Sequence, residues 1–142
     1  ITCFNFIGLD PAGPLFTAGS ASTLAPGDAD FTDAIYSDSG NLGHKSALAQ
    51  VNFFPNGGAH PQPGCDGQET ICSHSASAKY FIQSIRSNSI KGYKCASYAA
   101  FQRGECGLQA THTFGHHAQA NSNTGNYYLN IQPVNFSGKY TC

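Results

Sequence analysis

The first seven residues, Ile1-Thr2-Cys3-Phe4-Asn5-Phe6-Ile7, are apolar on both faces of an extended chain. Ile1, Cys3 and Ile7 fall on one side, Phe4 and Phe6 on the other. That pattern suits a strand buried inside an α/β sheet rather than an exposed edge. It stops at Gly8-Leu9-Asp10-Pro11-Ala12-Gly13-Pro14, where glycine and proline mark a turn.

Further elements follow the same logic. Phe31 to Tyr36 and Val51 to Phe54 read as short strands, the second closed by Pro55-Asn56-Gly57-Gly58. Thr17 to Gly27 and Pro61 to Cys72 read as loops. From Ser73 to Arg86 the period changes: Ala78, Phe81, Ile82 and Ile85 recur at i, i+3, i+4 and i+7, which predicts one apolar face of a helix. Asn126 to Ile131 reads as a late strand with β-forming aromatics. Strands followed by a helix point to an α/β layer fold. With no internal repeat and no linker, residues 1–142 read as a single unit.

Composition narrows the class. Seven basic and 8 acidic residues give no electrostatic footprint for nucleic acid or an anionic membrane surface. No run is long and apolar enough for a transmembrane segment. Cys3, Cys65, Cys72, Cys95, Cys106 and Cys142 are many for so short a chain and point to an oxidising, secreted or extracellular setting. None forms C-x-x-C, which argues against a zinc ribbon or a thioredoxin-type motif. Asn135-Phe136-Ser137 is a glycosylation sequon. The absence of Met leads us to expect that Ile1 is a processed terminus or the start of a partial sequence.

From Gly8 through Pro14 the chain resembles the pancreatic-lipase family, which includes insect neutral lipases, phospholipases A1 and non-catalytic yolk proteins. The resemblance continues in order through Asp28-Ala29-Asp30-Phe31, Gly43 to Gly58, Gln62-Pro63-Gly64-Cys65 and Cys72-Ser73-His74. It ends in the Cys95 to Cys106 segment and Gly125-Asn126-Tyr127-Tyr128-Leu129. It implies a partial α/β-hydrolase fold, the later strands of the central sheet plus helices. It further implies a catalytic acid at Asp10 and a catalytic histidine at His74.

Serine ester hydrolysis needs a base within reach of a hydroxyl and an acid that orients the base. In these folds the order is Ser, acid, His. No serine here lies in G-x-S-x-G. The family's elbow serine and oxyanion donors precede the Asp-Pro turn, so we expect the serine half to be absent and the chain alone to be inactive. Taken by themselves, an Asp in a turn is ordinarily a turn former and a His beside a helix a surface polar group.

The resemblance also implies a short lid made of Cys65, Asp66, Gly67, Gln68, Glu69, Thr70, Ile71 and Cys72, closed by a Cys65–Cys72 disulfide. Read without it, the pair staples a loop, worth ~2–3 kcal/mol. Cys95–Cys106 pairs by the same resemblance. Cys3 and Cys142 remain; they bridge, or Cys3 stays a buried thiol and Cys142 pairs with another chain. In some relatives calcium binds before the second strand; Asp28 matches one ligand and Ala25 stands at the other, so too few oxygens remain. His112, His116 and His117 share no evident tetrahedral zinc set, since Thr113 and Gly115 disfavour a helix there. We expect no metal and no cofactor. Ala76 and Ser77 depart from the family, which has Arg and Ala after the histidine.

Two functions follow from the resemblance. One is the acid–histidine half of a secreted lipase or phospholipase A1, completed by an N-terminal half and acting on a lipid ester. The other is a non-catalytic storage, matrix or lipid-binding protein, which must cover its broken sheet edge or form a self-oligomer.

Overall fold

A computed structural model describes residues 4–67 and 70–133. The strands are β1 (Asn5–Leu9), β2 (Phe31–Ile35), β3 (Val51–Pro55), β4 (Lys91–Lys94), β5 (Thr111–Thr113) and β6 (Gly125–Leu129). The helices are α1 (Thr70–Ile85) and the short α2 (Tyr98–Gln102), with a 3-10 turn at Gly115–His117. The strands form one sheet in the order β1-β2-β3-β6-β4-β5. β1, β2, β3 and β6 run parallel, while β4 pairs antiparallel with both β6 and β5. This is a partial α/β-hydrolase fold.

The centre of the sheet follows from its residues. β2 and β3 are almost wholly buried, as expected of parallel strands covered on both faces. Phe31, Ile35, Val51, Phe53, Tyr127 and Leu129 pack on one face with Ala76 and Tyr80 of α1 and with Phe114. Burying each large side chain stabilises the fold by roughly 1.5–3 kcal/mol. On the other face Tyr36, Phe54 and Tyr128 stack in sequence, with ring centroids 4.7 and 5.4 Å apart.

Three expectations need correction. The first strand spans Asn5–Leu9 and lies at the sheet's edge. Phe4 and Phe6 are exposed, because among the described residues only β2 pairs with β1. Secondly, α1 begins at Thr70, so the helix starts inside the expected Pro61 to Cys72 loop and already includes Cys72. Thirdly, α1 turns a different face inward. Its buried residues are Ser73, Ala76, Ser77, Tyr80 and Ser84, while Ile82 and Ile85 stay exposed. Small side chains let the helix sit close on the sheet, and their hydroxyls find partners: Ser77 and Ser84 donate to carbonyls within the helix.

β4, α2 and β5 carry weak local signals. β4 is Lys-Gly-Tyr-Lys, and its Gly92 lies so close to Tyr127 and Phe53 that a Cβ would collide with both. Pairing with β6 and β5 makes it a strand, which is tertiary context and not propensity. α2 did leave a mark: Ser97 caps it, accepting from the Ala100 N–H.

Candidate functional site

Asp10 ends β1 in the left-handed region, with φ 48°. Non-glycine residues adopt that conformation infrequently, Asp and Asn more readily than most. The twist brings its carboxylate over the C-terminal end of the neighbouring strand. There Oδ1 accepts the Ser37 N–H at 2.8 Å and the Asp38 N–H at 3.0 Å. The side chain is fully buried.

Asp10 Oδ2 meets His74 Nδ1 at 2.6 Å. A carboxylate accepts, so Nδ1 carries the proton and the other ring nitrogen, Nε2, is the basic one. Nε2 has no partner among the described residues, and the His74 side chain is 37% exposed. Burial pushes the Asp10 carboxyl above its ordinary range, against the pull of the Ser37 and Asp38 amides and of His74. Ser37 ties sheet to helix: its hydroxyl donates to the His74 carbonyl and accepts the Ser77 N–H. The arrangement can hold one imidazole tautomer and stabilise an imidazolium, the two duties of an acid that orients a base.

Gly43 belongs to the same construction. A Cβ there would run into the Asp10 carboxylate, so only glycine permits the approach. Asp38 folds the adjoining turn, its side chain accepting from Leu42 N–H and Asn41 Nδ2.

The other predicted residues fall as follows. Cys65–Cys72 and Cys95–Cys106 are disulfides. Of the lid segment, Gln68 and Glu69 lie outside the described residues, as do Cys3, Cys142 and Asn135. Asp28 Oδ2 accepts the Ala25 N–H, an arrangement internal to its loop. His112 is buried on β5 among Phe31, Phe53 and Tyr127, with its Nε2 beside Asn121. His116 and His117 sit in the 3-10 turn. Among the described residues no three His, Cys, Asp or Glu side chains are grouped to hold a metal. Ala76 packs in the core.

Two residues escaped sequence reasoning. Asp33, at the centre of β2, is buried, its Oδ2 lacks a partner among the described residues, and burial pushes its carboxyl up to about 7. An acidic residue inside an apolar strand was the available signal. His60 spans the loop that opens at Cys65 and the start of α1, and its position between Ala59 and Pro61 gave no hint of that.

The sheet is that of a partial α/β-hydrolase fold, and at the ends of its parallel strands a buried acid meets a helix-borne imidazole. The particular family is settled by comparison: a model described as Lipase matches residues 5–136, and the chain belongs to that family, the pancreatic lipases. Among similar proteins, Lipase member H of Oryctolagus cuniculus is 42% identical over 108 residues, 70% of this chain and 24% of its own length. Lipase member H of Mus musculus is 43% identical over 109 residues, again 70% and 24%. Phospholipase A1 member A of Rattus norvegicus is 38% identical over 107 residues, 70% and 23%. The chain thus spans about a quarter of the length of the curated relatives it matches. No described helix is long and apolar enough to cross a membrane.

Proposed function

We propose that this chain is the acid–base half of a serine ester hydrolase of the lipase or phospholipase A1 type. The observation that carries the reading is the 2.6 Å contact between His74 Nδ1 and the buried Asp10 carboxylate, with Nε2 left available. A serine from a segment outside this sequence attacks the ester carbonyl of a lipid. Its proton passes to His74 Nε2 and then to the departing alcohol, leaving an acyl-enzyme. Water repeats the exchange: it gives a proton to Nε2, releases the fatty acid and restores the serine hydroxyl. Asp10 remains ionised and holds the ring.

The apolar edge supports a partner segment. β1 offers Phe6 and Leu9 to solvent, with Phe4 exposed just before it, and an edge strand of that kind invites pairing with another strand. An N-terminal segment covering it would supply the nucleophile and oxyanion donors. The disulfides fit a secreted protein, with Asn135 as its glycan site. The Cys65–Cys72 loop, two residues before His74, serves as a short lid.

The test is ester hydrolysis by a protein in which this chain is joined to its G-x-S-x-G segment. Turnover that falls about 10⁴-fold in Asp10→Asn supports the reading. Full activity in His74→Ala overturns it. The second reading, a non-catalytic protein on a lipase frame, draws on the lack of a G-x-S-x-G serine in this sequence. It predicts a protein with no upstream elbow serine and no turnover in any form.

A further inference from the structure

We propose that the cavity beside the Asp10 turn is a phosphate-binding site, with the buried imidazole of His44 and the ammonium of Lys45 as its donors. The cavity encloses about 220 Å³, below the ~300–1,000 Å³ of a site for a drug-sized ligand. Gly13, Gly40 and Gly43 line it with backbone alone, Pro14 and Phe16 line it with carbon, and none of its lining side chains is acidic. His44 is 5% exposed and pinned at both ends of its backbone. Its N–H donates to the Pro11 carbonyl at 2.6 Å, and its carbonyl accepts the Ser39 hydroxyl at 3.2 Å. Ser46 sets the ring. The Ser46 N–H donates to His44 Nδ1 at 3.0 Å, closer than the Ser46 carbonyl at 3.3 Å. An amide N–H only donates, so Nδ1 accepts and the hydrogen of the neutral ring sits on Nε2. Among the described residues that N–H has no acceptor, and Nε2 is not sealed in as Asp33 Oδ2 and Gln83 Oε1 are. It therefore opens into the cavity that the ring lines.

Lys45 lines the same cavity, is exposed, and has no hydrogen bond or ion pair among the described residues. A fixed N–H donor and a flexible cation on one cavity suit an oxyanion: the first directs one oxygen and the second offsets the charge. The nearby carboxylates do not take these donors, because each is already engaged. Asp10 accepts the Ser37 and Asp38 N–H groups and meets His74. Asp38 accepts from the Leu42 N–H and from Asn41 Nδ2. Gly43 joins the cavity to the acid, since it lines the one and abuts the Asp10 carboxylate. A phosphate held here is one glycine away from Asp10. The ligand that suits both places is a lipid that carries phosphate and ester on the same glycerol, with Pro14 and Phe16 against its carbon. That the phosphate belongs to a substrate rests on the proposed hydrolase reading; that the cavity takes a phosphate does not.

The test uses the protein joined to its serine segment and two ethers that cannot be hydrolysed, the dihexyl ether of glycerol phosphate and the dihexyl ether of glycerol. Calorimetry should find the phosphate-bearing ether bound more tightly. That preference should fall about tenfold in Lys45→Ala and in His44→Asn, the loss of one hydrogen bond to a charged group. His44→Asn keeps an acceptor for the Ser46 N–H but is too short to present a donor in the cavity. Lys45→Ala alters an exposed side chain and so tests the site without burdening the fold. Lys45→Arg, which keeps the cation, should retain most of the preference. Lys79→Ala, which removes an exposed lysine on α1, should retain all of it. An unchanged preference in Lys45→Ala overturns the site. So do equal losses in Lys79→Ala and Lys45→Ala, since binding would then follow net charge. Inorganic phosphate separates the two sources of the anion: it should displace the phosphate ether only at far higher concentration. Inorganic phosphate bound as tightly as the ether, with the same dependence on Lys45, overturns the lipid assignment in favour of free phosphate. Failure of the hydrolase reading shows separately, as full ester turnover in His74→Ala, because ether binding involves no turnover.

Discussion

The carboxylate of Asp10 occupies the space that a methyl group on Gly43 would need. The acid is held from three sides: by two amides just past the end of the strand beside it, by the imidazole of His74, and by the bare α-carbon of Gly43. Gly43→Ala should displace the carboxylate and break the pair. The expected cost is about 1–3 kcal/mol, typical of overpacking a tight site. Thermal unfolding reads the stability, and loss of the downfield Nδ1 proton resonance of His74 reads the broken contact.

Asp10→Asn should separate chemistry from stability. The amide still accepts from Ser37 and Asp38 through its oxygen, yet its nitrogen meets His74 Nδ1 as a second donor and drives the ring to the other tautomer. Burial penalises the charge in the parent, and the neutral amide escapes that penalty. Stability should shift by less than about 1 kcal/mol, whereas activity in the serine-bearing protein collapses. Parallel melting curves and ester assays check both.

Asp33 makes stability fall as the solution passes from acidic to neutral. Its folded carboxyl titrates at about 7 against an ordinary 3.8, so between those values the folded state holds a proton that the unfolded chain has lost. Stability is therefore greatest below pH 4 for this group and declines until pH 7, by on the order of 4 kcal/mol in total. Asp33→Asn should flatten that slope and raise the melting temperature at pH 8. Denaturant melts from pH 4 to pH 8 on both proteins test it; an identical slope in the variant counts against the assignment.

Asn56 fastens β3 to the end of β6. In the left-handed region at φ 54°, it donates to the Ile131 carbonyl at 2.8 Å and accepts the Ile131 N–H at 3.0 Å. Its amide also reaches Tyr80 and Gln62. Asn56→Ala removes these bonds and strains the turn, and should cost roughly 2–4 kcal/mol in chemical denaturation. Asn56→Gly relieves the strain alone and should recover part of the loss.

Phe6 on the open edge should govern self-association of the isolated chain. Phe6→Lys places a charge where another strand would pair, a device that native sheets use on their edges. Sedimentation should find the parent associating as concentration rises and the variant remaining monomeric.

Much of this architecture was legible before any coordinates. Phe31 to Tyr36 and Val51 to Phe54 declared themselves by apolar runs bounded by turn residues, and β2 and β3 lie there. Asp10 and His74 were legible only through resemblance, since 64 residues separate them and no local pattern encodes their meeting. The inward face of α1 misled for a physical reason: periodicity counts hydrophobes, and this helix buries serines, two of which donate their hydroxyl protons to carbonyls of its own preceding turn. His60 and Gly43 were invisible because their roles depend on what lies across the fold. Gly92 belongs with them, a glycine needed for what packs above it and not for its own backbone.

The amides that hold Asp10 lie just beyond the end of the neighbouring strand, and that makes strand register a proofreading step. Leu9 pairs with Ile35, which sets Asp10 against Ser37 and Asp38. A slip of one residue would turn the carboxylate to the opposite face of the sheet. The imidazole would then have no acid, and under the proposed function a molecule misassembled at β1 would be chemically silent rather than indiscriminately active.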